Sequence, residues 1–427
     1  MIRKNSILKV LIQVILMYAP CAVYGQTGPD YSVFLLGGSG SAYLQDSLLP
    51  MLAGKLAEAG KNSAVIFLGD NVQPRGLPDS TDHTWEPAHT SLMTQLRILQ
   101  NYQGEIIFIP GPDDWARGRK DGLEYVKNQR KYIEDYLDKK DVFLPKKGRP
   151  GPEEIHLTED IVVIAIDSWW WFHENEKSYA DIEDEADFFV QIEDAISRNR
   201  NRKIIFAANH PLYSSGNYGG HFAAVDNLFP LLLVNKALYI PLPGFLYTGF
   251  RKFLGGKQDL AHPQYKLLKE ALMESFEGHS DIIYASAHEQ NLQYGHRDSL
   301  YQIISGSSGS TGYVAQNDKM EFASAKNGFA ELDFYKNGDV WLEFLTMEEG
   351  EVFRTKLFNK PVYEKDRIEQ FLSEIDYSDS TVTTYPNGEK YQAGKLKRVF
   401  FGDNYRDEWV IPVEVPVFDF KNEQGEL

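Results

Sequence analysis

Residues 64–76 read AVIFLGDNVQPRG. The apolar run Val65, Ile66, Phe67, Leu68 carries no polar residue on either face, as a strand buried on both sides of a sheet requires. Gly69 and Asp70 close its carboxyl end, and in open α/β sheets ligands and metals gather outside those ends. Four further runs finish in small or polar groups: FLLGGSG (34–40), IIFIPGPDDW (106–115), IIFAANHPLY (204–213) and IIYASAHEQNLQ (282–293). Five strands that deliver their ends to one place make a site, so Gly38, Asp70, Pro112, Asn209 and His288 are expected to converge.

The 427 residues, 43% hydrophobic and 13% aromatic, are ample for a globular core with a further unit. A formal charge of −17 argues against a nucleic-acid or anionic-membrane partner, since neither finds a basic footprint here. Arg3 and Lys4 precede the apolar run LIQVILMYAP, which is too short to span a bilayer, and Val23, Tyr24 and Gly25 follow as a cleavage site. Residues 1–25 therefore read as a secretory signal peptide. A lipoprotein reading would instead place Cys21 at the mature N-terminus. In either case the only cysteine lies in this segment, so the rest of the chain offers no disulfide framework and no thiolate metal site.

Along the chain, strands are expected at 31–36, 65–68, 106–109, 161–166 and 203–207, and near Ile282, Tyr301, Phe329 and Val340. Helices are expected up to about Ala59 and over 85–101, 121–137, 184–199 and 263–276. Strands that alternate with helices, followed by a run of strands, predict an α/β domain with late antiparallel pairing. Residues 216–259 read as a long, irregular insertion rich in Gly, Pro and aromatics. The Gly38-Ser39-Gly40 turn supplies two glycines of a dinucleotide fingerprint. Its third position falls at Tyr43, and no acidic residue follows about 20 positions on, so a plain tight turn is the better reading.

The order GD, then GPDDW, then NHPLYSSG, then AHEQNLQ resembles the calcineurin-like metallophosphoesterases of the purple-acid-phosphatase type, over residues 31–358. That resemblance implies a four-layer α/β/β/α sandwich with two facing mixed sheets. It also implies two metal ions (Mn, Fe, Zn or Mg) that clamp phosphate oxygens and activate a water.

Ligand by ligand, the implied metal centre is depleted. The family's first Asp falls at Gly38, and its bridging carboxylate is kept as Asp70. Its Asn-His pair becomes Pro112 and Asp113, followed by Asp114. Its next histidine is Asn209, with His210 and Pro211 retained. Its closing Gly-His-x-His becomes Ala287, His288, Glu289, Gln290. Only Asp70 and His288 keep their residue type; Asn209 and Gln290 offer neutral amides, weak substitutes for imidazole. The resemblance then implies a pseudoenzyme without cofactor. The alternative is a phosphoester hydrolase with one remodelled metal site, in which Asp113, Asp114 and His210 are the catalytic candidates. If the loops keep the family's shape, writing the lost ligands back together (Gly38→Asp, Pro112→Asn, Asp113→His, Asn209→His, Gln290→His) restores metal binding.

Arg75, Tyr218 and His221 are expected to line the cleft. Trp169, Trp170, Trp171 and Phe172 are expected to pack, with at least one ring partly exposed. Within the C-terminal tail, residues 359–427, the stretch YQAGKLKRVFFGDNYRDEWVIPVEVPVFDF (391–420) resembles the connector of bacterial surface proteins in which an outer-membrane β-barrel comes next; this sequence ends at Leu427. That resemblance implies a periplasmic or outer-membrane-peripheral location and an envelope partner that adds to the C-terminal segment. Pro412 and Pro416 limit that segment to an edge strand or an extended ribbon, with Trp409 packed on the domain.

Overall fold

The computed structural model describes residues 28–41, 48–179, 182, 184–229, 245–279, 282–297, 299–317, 319–358, 375–376, 382–384, 390–402 and 405–416. Residues 1–25, expected to be a signal peptide, lie outside them. The chain divides into two compact units, Met1–Phe358 and Asn359–Leu427.

In the first unit, chain order runs β1 (Tyr31–Leu36), α1 (Leu48–Ala59), β2 (Ser63–Phe67), α2 (Trp85–Leu99), β3 (Glu105–Phe108) and α3 (Gly122–Leu137). It continues with β4 (Glu153–His156), β5 (Ile161–Ala165), α4 (Glu185–Arg198), β6 (Lys203–Ala207), α5 (Phe245–Phe253), α6 (Pro263–Ser275) and β7 (Ile282–Ser286). The unit closes with β8 (Leu292–Arg297), β9 (Leu300–Ser305), β10 (Phe322–Ser324), β11 (Gly328–Phe334), β12 (Val340–Thr346) and β13 (Gly350–Leu357).

Two mixed sheets result. One has the order β13-β12-β11-β1-β2-β3, the other β10-β8-β9-β7-β6-β5-β4. In the first, β1, β2 and β3 are parallel and β11 joins β1 antiparallel. In the second, β5, β6, β7 and β9 are parallel, with β4 and β8 antiparallel at either side.

Strand periodicity divides the core. Val33 and Leu35 join Ile205, Ala207, Ile283 and Ala285 in one apolar cluster, which is the layer between the sheets. Phe34, Leu36, Ile204, Phe206 and Ile282 turn to the other faces, among helix residues such as Leu52, Leu92, Ile192 and Leu268. Both faces of each central strand are thus covered, which explains why these strands read as unbroken apolar runs. The four-layer α/β/β/α sandwich expected from the resemblance is what these sheets and helices form.

The three tryptophans resolve as packing. Trp170 and Phe172 are buried and Trp169 nearly so. Trp171 is half-buried, and its Nε1 donates to the Gln264 carbonyl at 3.2 Å. The 216–259 insertion departs from its irregular reading, because it contains the helix α5. Its sequence, FLYTGFRKF, was hard to recognise because its apolar residues do not face the core. The strands β4, β8, β10 and β13 were also not expected. β4 and β13 close the outer edges of their sheets, where half-polar sequences such as EEIH and GEVFRTKL suffice.

The second unit contains β14 (Ile375–Asp376), β15 (Val382–Thr384), β16 (Lys390–Gly402) and β17 (Tyr405–Pro416). β16 and β17 pair antiparallel from Tyr391↔Pro416 to Gly402↔Tyr405. Among the described residues β17 pairs with β16 alone, a place where Pro412 and Pro416 leave no ladder donor missing. The expected seat of Trp409 concerns a side chain outside those described.

The loop ends of the strands pack backbone to backbone, within the second sheet and between the two sheets. A Cβ on Gly306 would stand 1.8 Å from the Glu289 carbonyl oxygen, and one on Gly37 2.1 Å from the Ala287 Cβ. Backbone cannot yield there without moving the strand ends. Gly306→Ala should therefore destabilise the first unit by about 3 kcal/mol or more, read from the urea midpoint of tryptophan fluorescence. An unchanged midpoint would contradict this close approach.

Candidate functional site

The loops after β1, β2, β3, β6 and β7 meet, as the five strand ends predict. Gly38, Asp70, Pro112, Asp113, His288 and Gln290 line one cavity of about 380 Å³, together with Gln73, Arg117, Tyr218, Gln258 and Gly306. A larger hollow of about 490 Å³ lies at the other end of the parallel strands, beside Tyr31, Ile161 and Lys203. None of the motif loops reaches it.

Short backbone bonds close the loops on one another. Gly38 N donates to the Gly69 carbonyl and Gly40 N to the Asp70 carbonyl, each at 3.0 Å. A Cβ on Gly40 would lie 2.6 Å from Gln73 N, so this glycine serves close packing of loops rather than a cofactor. Asp70 and His288, the two retained positions, both hold left-handed backbone, with φ of 56° and 62°. Such φ values are uncommon for residues with a Cβ, although Asp and His adopt them more readily than most.

Asp114 is buried beneath the cavity. Its carboxylate accepts from the backbone N–H of Gly111 (2.8 Å), Asn71 (3.0 Å) and Val72 (3.1 Å), and from the amides of Gln129 (3.0 Å) and Asn71 (3.2 Å). Burial pushes it up to about 6 against those bonds. With its oxygens so occupied, it ties the β2 and β3 loops together. Asp113 lies at the cavity wall, its Oδ1 2.6 Å from Arg117 Nε. Asp70 Oδ1 accepts from Asp113 N at 2.9 Å. Burial, then the nearby charges of Asp113 and Asp114, hold Asp70 well above the ordinary carboxyl range. Burial raises Asp113 too, against the pull of Arg117.

His288 Nε2 lies 3.0 Å from the Gln258 carbonyl, which can only accept, so this nitrogen carries the proton. The ring packs 4.0 Å from Tyr218 and 4.3 Å from His210, centroid to centroid. Burial brings its pKa down to about 4. His210 lies deeper, fully buried, with Nδ1 2.8 Å from the Ser168 hydroxyl and Nε2 unpartnered among the described residues. Burial, then His288, holds it far below its usual value. Asn209 Nδ2 donates to the Leu68 carbonyl at 2.7 Å, so its amide is a strut beneath the β2 loop.

Of the other expected cleft residues, Tyr218 lines the cavity. Arg75 is exposed and His221 half-buried, and neither lines it. Sequence reasoning missed Gln73, Arg117 and Gln258. Gln73 stood within the opening motif and Arg117 two residues beyond Trp115, but Gln258 gave no signal at all.

These residues do not fit the two-metal centre that the resemblance implies. Gly38 and Pro112 carry no side-chain donor, Asn209 and Gln290 offer neutral amides in place of imidazoles, and of the expected ligand positions only Asp70 and His288 keep their residue type. Among the described residues no three His, Cys, Asp or Glu side chains are grouped to hold a metal. Restoring the first aspartate is also blocked: Gly38 has φ of 68°, and a Cβ there would meet the Gly306 carbonyl oxygen at 2.8 Å. The loops have closed over the lost ligand, so the five-residue rewriting no longer follows as sufficient. What the cavity offers instead is hydrogen bonding from Arg117, Gln73, Gln258 and Gln290.

Solved structures similar to this chain include these three. GAP50, the anchor in the inner membrane complex of Plasmodium, is 15% identical with a TM-score of 0.45, over 76% of this chain and 88% of that one. Purple acid phosphatase PPD1 from yellow lupin seeds is 12% identical with a TM-score of 0.47, over 76% and 53%. PhoD is 10% identical with a TM-score of 0.44, over 78% and 69%. No protein-family model matches the sequence, and no curated protein does.

The buried carboxyls fix a pH dependence. Burial lifts Glu289 from its ordinary 4.5 to about 7, although Ser214 Oγ donates to it at 2.5 Å and Gly219 N at 3.0 Å. Asp167, which accepts from Trp115 Nε1 at 2.7 Å, also reaches about 7. A carboxyl that holds its proton more tightly when folded contributes fully below its unfolded pKa, and that contribution is lost as pH rises through the folded value. His173 and His288, both lowered to about 4, act oppositely: their contribution is complete above about pH 6.5 and fades as pH falls toward 4. Above pH 6.5 the carboxyls therefore set the slope. Glu289→Gln keeps an acceptor for Ser214 and Gly219, so its stability relative to the parent should improve by about 2 kcal/mol between pH 5 and pH 8. Parallel urea titrations of the two proteins would show no such divergence if Glu289 titrated normally.

Proposed function

We propose that this chain is a non-catalytic binding module built on a metallophosphoesterase-type sandwich and working at the bacterial envelope. The observation that carries the reading is how few ligand donors the site keeps. Gly38 and Pro112 stand at ligand positions with no side-chain donor, Asn209 and Gln290 offer only neutral amides, and Asp114 spends its oxygens on loop amides. A two-metal hydrolytic centre needs a dense set of carboxylates and imidazoles. The cavity itself remains, with one guanidinium and three carboxamides at its wall, which suits recognition of a small polar group. The envelope location rests on the leader-like residues 1–25, and the envelope partner on the resemblance of residues 391–420. The open edge of β17 is where such a partner would add.

One observation favours the alternative hydrolase: Asp70, Asp113, His288 and Gln290 line the same cavity. A remodelled site for a single Mn, Fe, Zn or Mg ion would draw on them. The two readings separate cleanly in solution. Hydrolysis of phosphomonoester and phosphodiester model substrates should stay at background with each of these metals, and Asp70→Ala should change nothing. Metal-dependent turnover that disappears in Asp70→Ala would establish the hydrolase instead.

A further inference from the structure

α5 is amphipathic the wrong way round. Its polar stripe faces the protein: Thr248 is buried with its hydroxyl 2.6 Å from Asn227 Oδ1, and Arg251, one turn on, grips Asp259 through Nε at 3.1 Å to both oxygens. Gly255 continues that stripe, buried just past the helix end. The apolar side chains face solvent instead. Phe245 is 62% exposed, Leu246 64%, Phe250 48%, Phe253 72% and Leu254 64%, and neighbouring Leu228 is 63% exposed. An ordinary surface helix places these two faces in the opposite order, and a clustered apolar patch on a soluble domain marks a docking surface.

Charge identifies the occupant. The chain has 61 acidic residues, yet from Asn227 to Gln258 there is none, while Lys236, Arg251, Lys252 and Lys257 fall within that stretch. Lys252 and Lys257 are exposed beside the apolar face, Lys257 with its Nζ 2.7 Å from a Glu174 carboxylate oxygen. An exposed apolar face in a stretch of chain that carries cations and no anion of its own is the composition of a helix that lies in the headgroup layer of a bilayer. A nine-residue helix is about 13 Å long, too small a footprint for the roughly 800 Å² per partner of a stable protein interface. A lipid surface makes no such demand. The net charge of −17 limits electrostatic attraction of the whole chain, so the apolar side chains must supply most of the affinity. Among the described residues no helix is long and apolar enough to cross a membrane; α5 would lie on one.

We infer that α5 is an interfacial helix that seats the first unit on a lipid surface through Phe245, Leu246, Phe250, Phe253 and Leu254. The inference does not depend on whether the cavity is catalytic. The test places a nitroxide at the helix in the full chain, through Leu254→Cys with Cys21→Ser, and adds vesicles of phosphatidylcholine containing phosphatidylglycerol. The label should become accessible to oxygen and protected from a water-soluble relaxant. In flotation assays Phe250→Glu with Phe253→Glu should weaken vesicle binding by about tenfold or more. Lys252→Glu should weaken it less, and Leu267→Glu on α6, also exposed, should leave it unchanged. A label that stays water-accessible on protein that floats would overturn the inference, since another segment would then be the anchor. So would a label already shielded before lipid is added, which would mean that a second copy or the chain itself covers the face.

Discussion

The Asp114 carboxylate is the knot on which the cavity depends. It takes backbone N–H groups from both the β2 and β3 loops, and side-chain amides from Asn71 and Gln129. A buried carboxylate with five donors can stay in place of water because nearly all of its lone pairs are used. Through it Asp70 and Asp113 are brought within one hydrogen bond of each other. The left-handed backbone of Asp70 is sustained by the same bonds, since Asn71 and Val72, the residues directly after it, supply two of the N–H donors.

Around that knot the site concentrates ionisable groups that burial pushes toward neutrality. Asp70, Asp167 and Glu289 move up, while His173, His210 and His288 move down. Desolvation is the leading cause at each of them. A bound cation would reverse that logic by holding carboxylates ionised. Within the protein, the Arg117 guanidinium beside Asp113 pulls in that same direction.

Much of this was legible in the sequence, for identifiable reasons. Parallel strands buried on both faces leave continuous apolar runs, and the small or polar residues after them mark the loop ends, so the convergence of Gly38, Asp70, Pro112 and His288 could be expected. Edge strands such as β4 and β13 have no such signature, because one side faces solvent or loop. The loss of donors at Gly38 and Pro112 was visible in their side chains. That the Gly38 loop had also closed was not, since it depends on how near the Gly306 carbonyl comes. Gln258 entered the site from an insertion in which the sequence shows no pattern pointing inward.

That insertion ties the cavity to the surface. Its Tyr218 and Gln258 form one wall, and the Gln258 carbonyl fixes the His288 tautomer. Arg251 of α5 lies 5.1 Å from the Tyr218 ring while it holds Asp259, the residue after Gln258. Anything that moves α5 must therefore act on the Arg251–Asp259 pair. That pair is buried, so breaking it leaves two charges without compensation, and displacement is resisted until both partners move together.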